Sequence, residues 1–196
     1  MKKIEQVYRE ILYQAMEKNN KSLTQLGLTK RRGFSLSNVN LALKNLEKIN
    51  GVKINKMNFK VIDIKKIIYY WASSRVFERD IIYKTRIEMP IREIESNMPD
   101  LIFGAFSAYK FKFKDVPADY SEVYVYANEQ QLNIIKKRFP EIRGTKNFNV
   151  FVLKADENID KYGKTSTIAN IFIDLWNLKQ WYANDFLKEL EKRINF

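Results

Sequence analysis

The sequence predicts an α+β chain in two parts, and three observations predict it. Between Gly33 and Asp63 a capped amphipathic helix runs into a glycine stop and then into two short alternating strands. Positive charge is confined to one third of the chain: residues 1–66 hold 15 Lys and Arg against 5 Asp and Glu, while residues 67–196 hold 20 against 18. From Asp100 onward, β-rich runs alternate with helical stripes.

Taking the elements in order, residues 4–18 read as a first helix, with Ile4, Val7, Tyr8, Ile11, Leu12, Ala15 and Met16 as its apolar stripe and Asn19 and Asn20 ending it. Residues 22–28 read as a short second helix pinned by Leu23, Leu26 and Leu28. In the third, Ser35 is placed to cap the N-terminus, Leu36, Val39, Ala42, Leu43, Leu46 and Ile49 form the stripe, and Gly51 ends it. A hairpin completes the unit by Asp63. Three helices followed by a hairpin are the order of a winged helix-turn-helix, expected over residues 1–66.

The polar face of the third helix carries the chemistry of a major-groove reader. Ser37, Lys44, Asn45 and Lys48 surround a single apolar residue, Leu41, with Asn38 and Asn40 on the flanks. Asn and Ser bond to base edges, Lys meets guanine acceptors or phosphate, and Leu touches a thymine methyl. Ser37, Asn38, Asn40, Leu41, Lys44 and Asn45 are therefore the expected base-reading residues. Lys30, Arg31 and Arg32 before the helix, Lys48 on it, and Lys53, Lys56 and Lys60 along the hairpin are the expected phosphate contacts. The implied partner is double-stranded DNA.

Residues 67–99 read as a helical connector. The run over 64–86 is apolar and aromatic, with Trp71 as core, and Pro90 and Pro99 bracket a short helix over 91–97. Within 100–196 the expected elements are a helix at 103–111, a strand at 122–126, a helix at 129–139, a strand at 149–153, and closing helices at 167–178 and 180–194. Phe186, Leu187, Leu190 and Ile194 face inward on the last helix. Trp176, Trp181 and Tyr182 are the candidate anchors for self-association into a homodimer or for a protein partner.

Composition bounds the chemistry. No cysteine and no histidine occur, which removes disulfides, thiolate zinc sites and the commonest metal ligand and general base. No run of 18 apolar residues and no signal-type N-terminus are found, so a cytoplasmic protein with no membrane contact is expected. The abundance of Ile, Lys and Tyr is compatible with a thermophilic source.

The second part carries a resemblance. Phe103-Gly104-Ala105-Phe106-Ser107-Ala108-Tyr109, then Val116-Pro117-Ala118-Asp119-Tyr120-Ser121-Glu122-Val123-Tyr124-Val125, and finally Ile173-Asp174-Leu175-Trp176-Asn177-Leu178 with Ala183 and Phe186-Leu187, resemble the AbiEi type of antitoxin and regulator, including archaeal ones joined to a winged helix. The resemblance implies a degenerate nucleotidyltransferase-like fold over 100–196. It also implies a transcriptional regulator, often the antitoxin and autorepressor of a type IV toxin–antitoxin pair whose toxin is the catalytic nucleotidyltransferase.

An alternative reading is a metal-dependent nucleotidyltransferase or nuclease using Asp119 and Glu122, with Asp156 or Glu157 as a further ligand. Such enzymes need two carboxylates one residue apart on a strand to hold divalent metals, whereas Asp119 and Glu122 are three apart. No catalytic residue, metal or cofactor is therefore expected. A third reading, RNA binding through Tyr124, Tyr126, Phe148 and Phe151, places aromatics where strand alternation would bury half of them.

Overall fold

A computed structural model describes residues 1–142, 144 and 146–194. The chain is mixed α+β with two small sheets. Its first part comprises α1 (Lys3–Glu17), β1 (Ser22–Leu23), α2 (Gln25–Arg32), α3 (Leu36–Lys48), β2 (Val52–Ile54) and β3 (Phe59–Val61). The three strands form an antiparallel sheet in the order β1-β3-β2. The expected second helix is thus corrected at its start. Thr24 accepts from the Gly27 N–H as the N-cap, and Ser22 and Leu23 instead pair with Lys60 and Phe59.

Ser35 caps α3 through the Asn38 N–H, as expected. Gly51 closes the end of the helix as expected, its N–H donating to the Leu46 carbonyl at 2.8 Å, and it has a second task besides. Asn50 takes the left-handed backbone at φ +56°, and Gly51 lies beneath the helix that starts at Ile64, where an added Cβ would stand 2.6 Å from Ile67 Cγ1. Leu36 also departs from the expected stripe, being 54 % exposed in the first turn, while Val39, Ala42, Leu43 and Leu46 are buried.

The stretch expected to be helical over 64–86, which overlaps the supposed helical connector 67–99, is corrected. It contains α4 (Ile64–Ser74), a 3-10 turn (Phe77–Asp80) and then a strand, β4 (Ile81–Thr85). Next come α5 (Ile91–Ser96), β5 (Ile102–Gly104), α6 (Ala105–Phe113), β6 (Val123–Ala127), α7 (Glu129–Arg138) and β7 (Val150–Lys154). A 3-10 turn (Ile159–Tyr162), α8 (Ile168–Trp176) and α9 (Ala183–Arg193) close the chain. The second sheet has the order β4-β7-β6-β5, with β6 and β7 parallel across α7 and the outer pairs antiparallel. The expected helix over 103–111 begins two residues later, because Phe103 and Gly104 pair with Val125 and Tyr124.

Strand alternation gives this sheet two apolar faces. Val123, Val125, Ala127, Val150 and Val152 pack with Ile94, Ile135 and Phe139 of the α5 and α7 side. Tyr124, Tyr126 and Leu153 join the other cluster, which runs without a break through α1, α3, α4, α6, α8 and α9. Trp71 is fully buried in it, as the sequence predicted.

At its centre Asp174 accepts from Tyr126 Oη at 2.7 Å, from Asn170 Nδ2 at 3.1 Å and from Arg75 Nη1 at 3.1 Å. Burial pushes the Asp174 carboxyl up from its ordinary value, against the pull of Arg75. Gly104 leaves room beside it. A Cβ there would approach both Asp174 Oδ2 and Tyr126 Cε2 to 3.0 Å.

Candidate nucleic-acid interface

The exposed side of α3 follows from its buried one. With Val39, Ala42, Leu43 and Leu46 fixed inward, Ser37, Leu41, Lys44 and Lys48, spaced by four, three and four residues, fall on one exposed line. Leu41 is 52 % exposed, an aliphatic side chain held in water with polar neighbours on the same line. Asn40 and Asn38 flank it, half-buried, and Glu47 adds one exposed carboxylate on the Asn40 flank. Ser37 Oγ lies 3.0 Å from the capping Ser35 Oγ.

Two of the sequence-predicted site residues are engaged elsewhere. Asn45 is half-buried and donates from Nδ2 to Tyr8 Oη at 3.2 Å, so its amide ties α3 to α1 instead of standing open for a base. Arg32 donates from Nε to the buried Glu10 at 2.7 Å, and its guanidinium lies 4.3 Å over the Tyr162 ring. Both are corrections: these side chains hold elements together.

The other six predicted phosphate contacts, Lys30, Arg31, Lys48, Lys53, Lys56 and Lys60, are exposed and make no ion pair among the described residues. Lys53 and Lys60 stand directly opposite each other across β2 and β3 on the exposed face of the small sheet. Like charges in that register destabilise a sheet, a cost that an anion between them would relieve. Between these strands Met57, 80 % exposed, marks the hairpin tip beside Lys56. Neither Met57 nor the exposed Leu36 was anticipated. Leu36 was hidden because it continues the helical spacing of the core stripe, and only the edge of the packing shows that it lies outside.

A buried charge cluster with no local sequence signal joins α1 and α2 to the 3-10 turn at Ile159–Tyr162. The Arg9 guanidinium binds Asp156 through both terminal nitrogens, at 2.8 and 2.6 Å. Burial pushes Asp156 up, but the hydrogen bonds and charge of Arg9 prevail and hold it below the usual carboxylate range. Tyr162 Oη donates to Glu10 at 2.8 Å, next to the Arg32 contact. The last turn of α2 is thereby clamped to the 3-10 turn at Ile159–Tyr162.

The carboxylates of the enzyme reading do not converge. Asp119 is exposed on the loop before β6, Glu122 accepts from Tyr182 Oη, Asp156 is held by Arg9, and Glu157 pairs with Lys3. Among the described residues, no group of three or more acidic side chains is placed to share a metal ion. Of the aromatics considered for base stacking, Tyr124 and Tyr126 are buried. No helix among the described residues is long and apolar enough to cross a membrane. No protein-family model matches the chain, and comparison with curated proteins finds no significant relative.

Proposed function

We propose that the chain is a DNA-binding transcriptional regulator in which residues 1–66 act as a winged helix-turn-helix. In this reading α3 enters the major groove and the β2–β3 hairpin is the wing. Ser37, Asn38, Asn40, Leu41 and Lys44 meet base edges; Lys30, Arg31, Lys48, Lys53, Lys56 and Lys60 meet phosphates. The observation that carries the proposal is the set of six exposed cations without ion-pair partners among the described residues, including the facing pair Lys53 and Lys60, around the exposed line on α3. Arg32 and Asn45 support the surface from below. The resemblance of residues 100–196 to AbiEi-type regulators extends the reading to the antitoxin and autorepressor of a toxin–antitoxin pair, with that segment holding a second copy or a nucleotidyltransferase-like toxin.

The test uses the full chain, because α1 packs on α8 and Arg9 pairs with Asp156 across the two parts. Binding to a short random duplex, followed by fluorescence anisotropy over a salt series, should weaken steeply with salt, by about 0.9 in log–log slope per phosphate neutralised. Exchanging both Lys53 and Lys60 for Ala should flatten that slope by about two. Salt-independent binding, or a double variant indistinguishable from the parent, would remove the hairpin from the interface and with it this proposal.

A further inference from the structure

We propose that the cleft beside edge strand β4 binds a small molecule combining a planar aromatic ring with an anionic substituent. The cleft has a volume of 820 Å³, within the range of about 300–1,000 Å³ typical of small-ligand sites. Its floor is aromatic. The Phe151 ring stacks on Tyr124 at 4.7 Å and 10°, and Phe77 tilts against Tyr124 at 5.8 Å. Tyr124 is buried, whereas Phe151 lines the cleft with part of its surface open, so a further flat ring can extend the stack.

Charge selects the substituent. Lys84 stands directly across from Phe151 in the β4–β7 ladder, and Lys136 reaches the cleft from α7. Neither meets a carboxylate among the described residues; their ammonium groups lie 4.4 Å over Phe148 and 5.5 Å over Tyr83. Lys179 is neutralised by Glu78 at 3.0 Å, and Glu141 is the remaining acid lining the cleft, which leaves a positive excess.

The β4–β7 register shifts between Ile81 and Tyr83, an irregularity that sets where Lys84 falls relative to Phe151. A polar group is on hand to orient the ring. Gln180 lines the cleft and donates to Tyr124 Oη at 3.4 Å, while its Oε1 is buried without a partner among the described residues. An aromatic anion with a hydrogen-bond donor satisfies the stack, the lysines and this acceptor together.

Calorimetric titration of the full chain with adenosine monophosphate, 4-hydroxybenzoate, adenosine and inorganic phosphate tests the site. One of the two aromatic anions should bind at least about tenfold more tightly than either control. Preference for the first identifies a nucleotide, and preference for the second an aromatic acid. Lys84→Ala and Phe151→Leu should each weaken that binding about tenfold, whereas Arg31→Ala should leave it unchanged. If Phe151→Leu fails to fold, Lys84→Ala, which removes an exposed side chain, decides alone. Failure of both aromatic anions to outbind the controls, or an unchanged affinity in Lys84→Ala, overturns the proposal. Equal weakening by Arg31→Ala would place the ligand on the basic surface of residues 1–66 and overturn it too.

Discussion

Arg9 and Asp156 are 147 positions apart and have almost no contact with water, so each charge depends on the other. Removing one partner of such a pair leaves the second charge buried and uncompensated, at a cost of about 3–5 kcal/mol. Arg9→Met should lower stability by that amount in urea melts at neutral pH. The pair also fixes a pH dependence. Because Asp156 titrates lower in the folded chain than its ordinary value, its contribution is present above the unfolded carboxylate value and is lost as pH falls through the depressed folded value. In Asp156→Asn the parent's extra loss of stability on acidification should shrink. An acid profile parallel to the parent's would show that the pair sets no pH dependence.

The same residue scale explains where the site was legible. Ser37, Leu41, Lys44 and Lys48 could be placed outward because helical spacing alone separates them from the core stripe. The partners of Arg32 and Asn45 come from α1 and from the 3-10 turn at Ile159–Tyr162, which local sequence does not bring together with them.

Among elements, those with a local signal were readable and those made by distant pairing were not. Ser35 and the α3 stripe define a helix on their own, whereas Ser22–Leu23 become a strand only because β3 offers an edge. Likewise Ile81, Ile82 and Tyr83 suit a helix or a strand by composition, and pairing with β7 decides. Arg31→Ala should reduce the salt slope of DNA binding by about one, while Arg32→Ala should leave the slope intact and lower thermal stability, since its charge is spent on Glu10. Equal slopes lost by both variants would put Arg32 back at the interface. Gly51→Ala should destabilise by about 1–3 kcal/mol, because the new Cβ meets Ile67 Cγ1 at 2.6 Å and the Ile67 side chain or α4 has to shift. A variant as stable as the parent in urea would mean that α4 yields freely there.

At the scale of the whole molecule, charge and packing divide the chain differently. Charge steps down after residue 66, yet one apolar cluster runs from α1 through α8 to α9, so the basic surface rests on the same core as the nearly neutral remainder. A regulator that reads two half-sites needs a second copy, and the candidate anchors for it separate once packing is known. Tyr182 is buried against Phe106 at 5.2 Å, and is corrected from anchor to core. Trp176 stacks on Phe172 and keeps 43 % exposure, while Trp181, at 75 %, spends a large apolar surface on water. An aromatic so placed is the kind of residue that dominates protein interfaces. Trp181→Ala should therefore weaken self-association in light scattering with the duplex present, by about tenfold or more in Kd, with little change in melting temperature, whereas Tyr182→Ala should lower the melting temperature first. A protein that stays monomeric on DNA before and after the Trp181 exchange would end the dimer reading and leave Trp181 for a partner of another sequence.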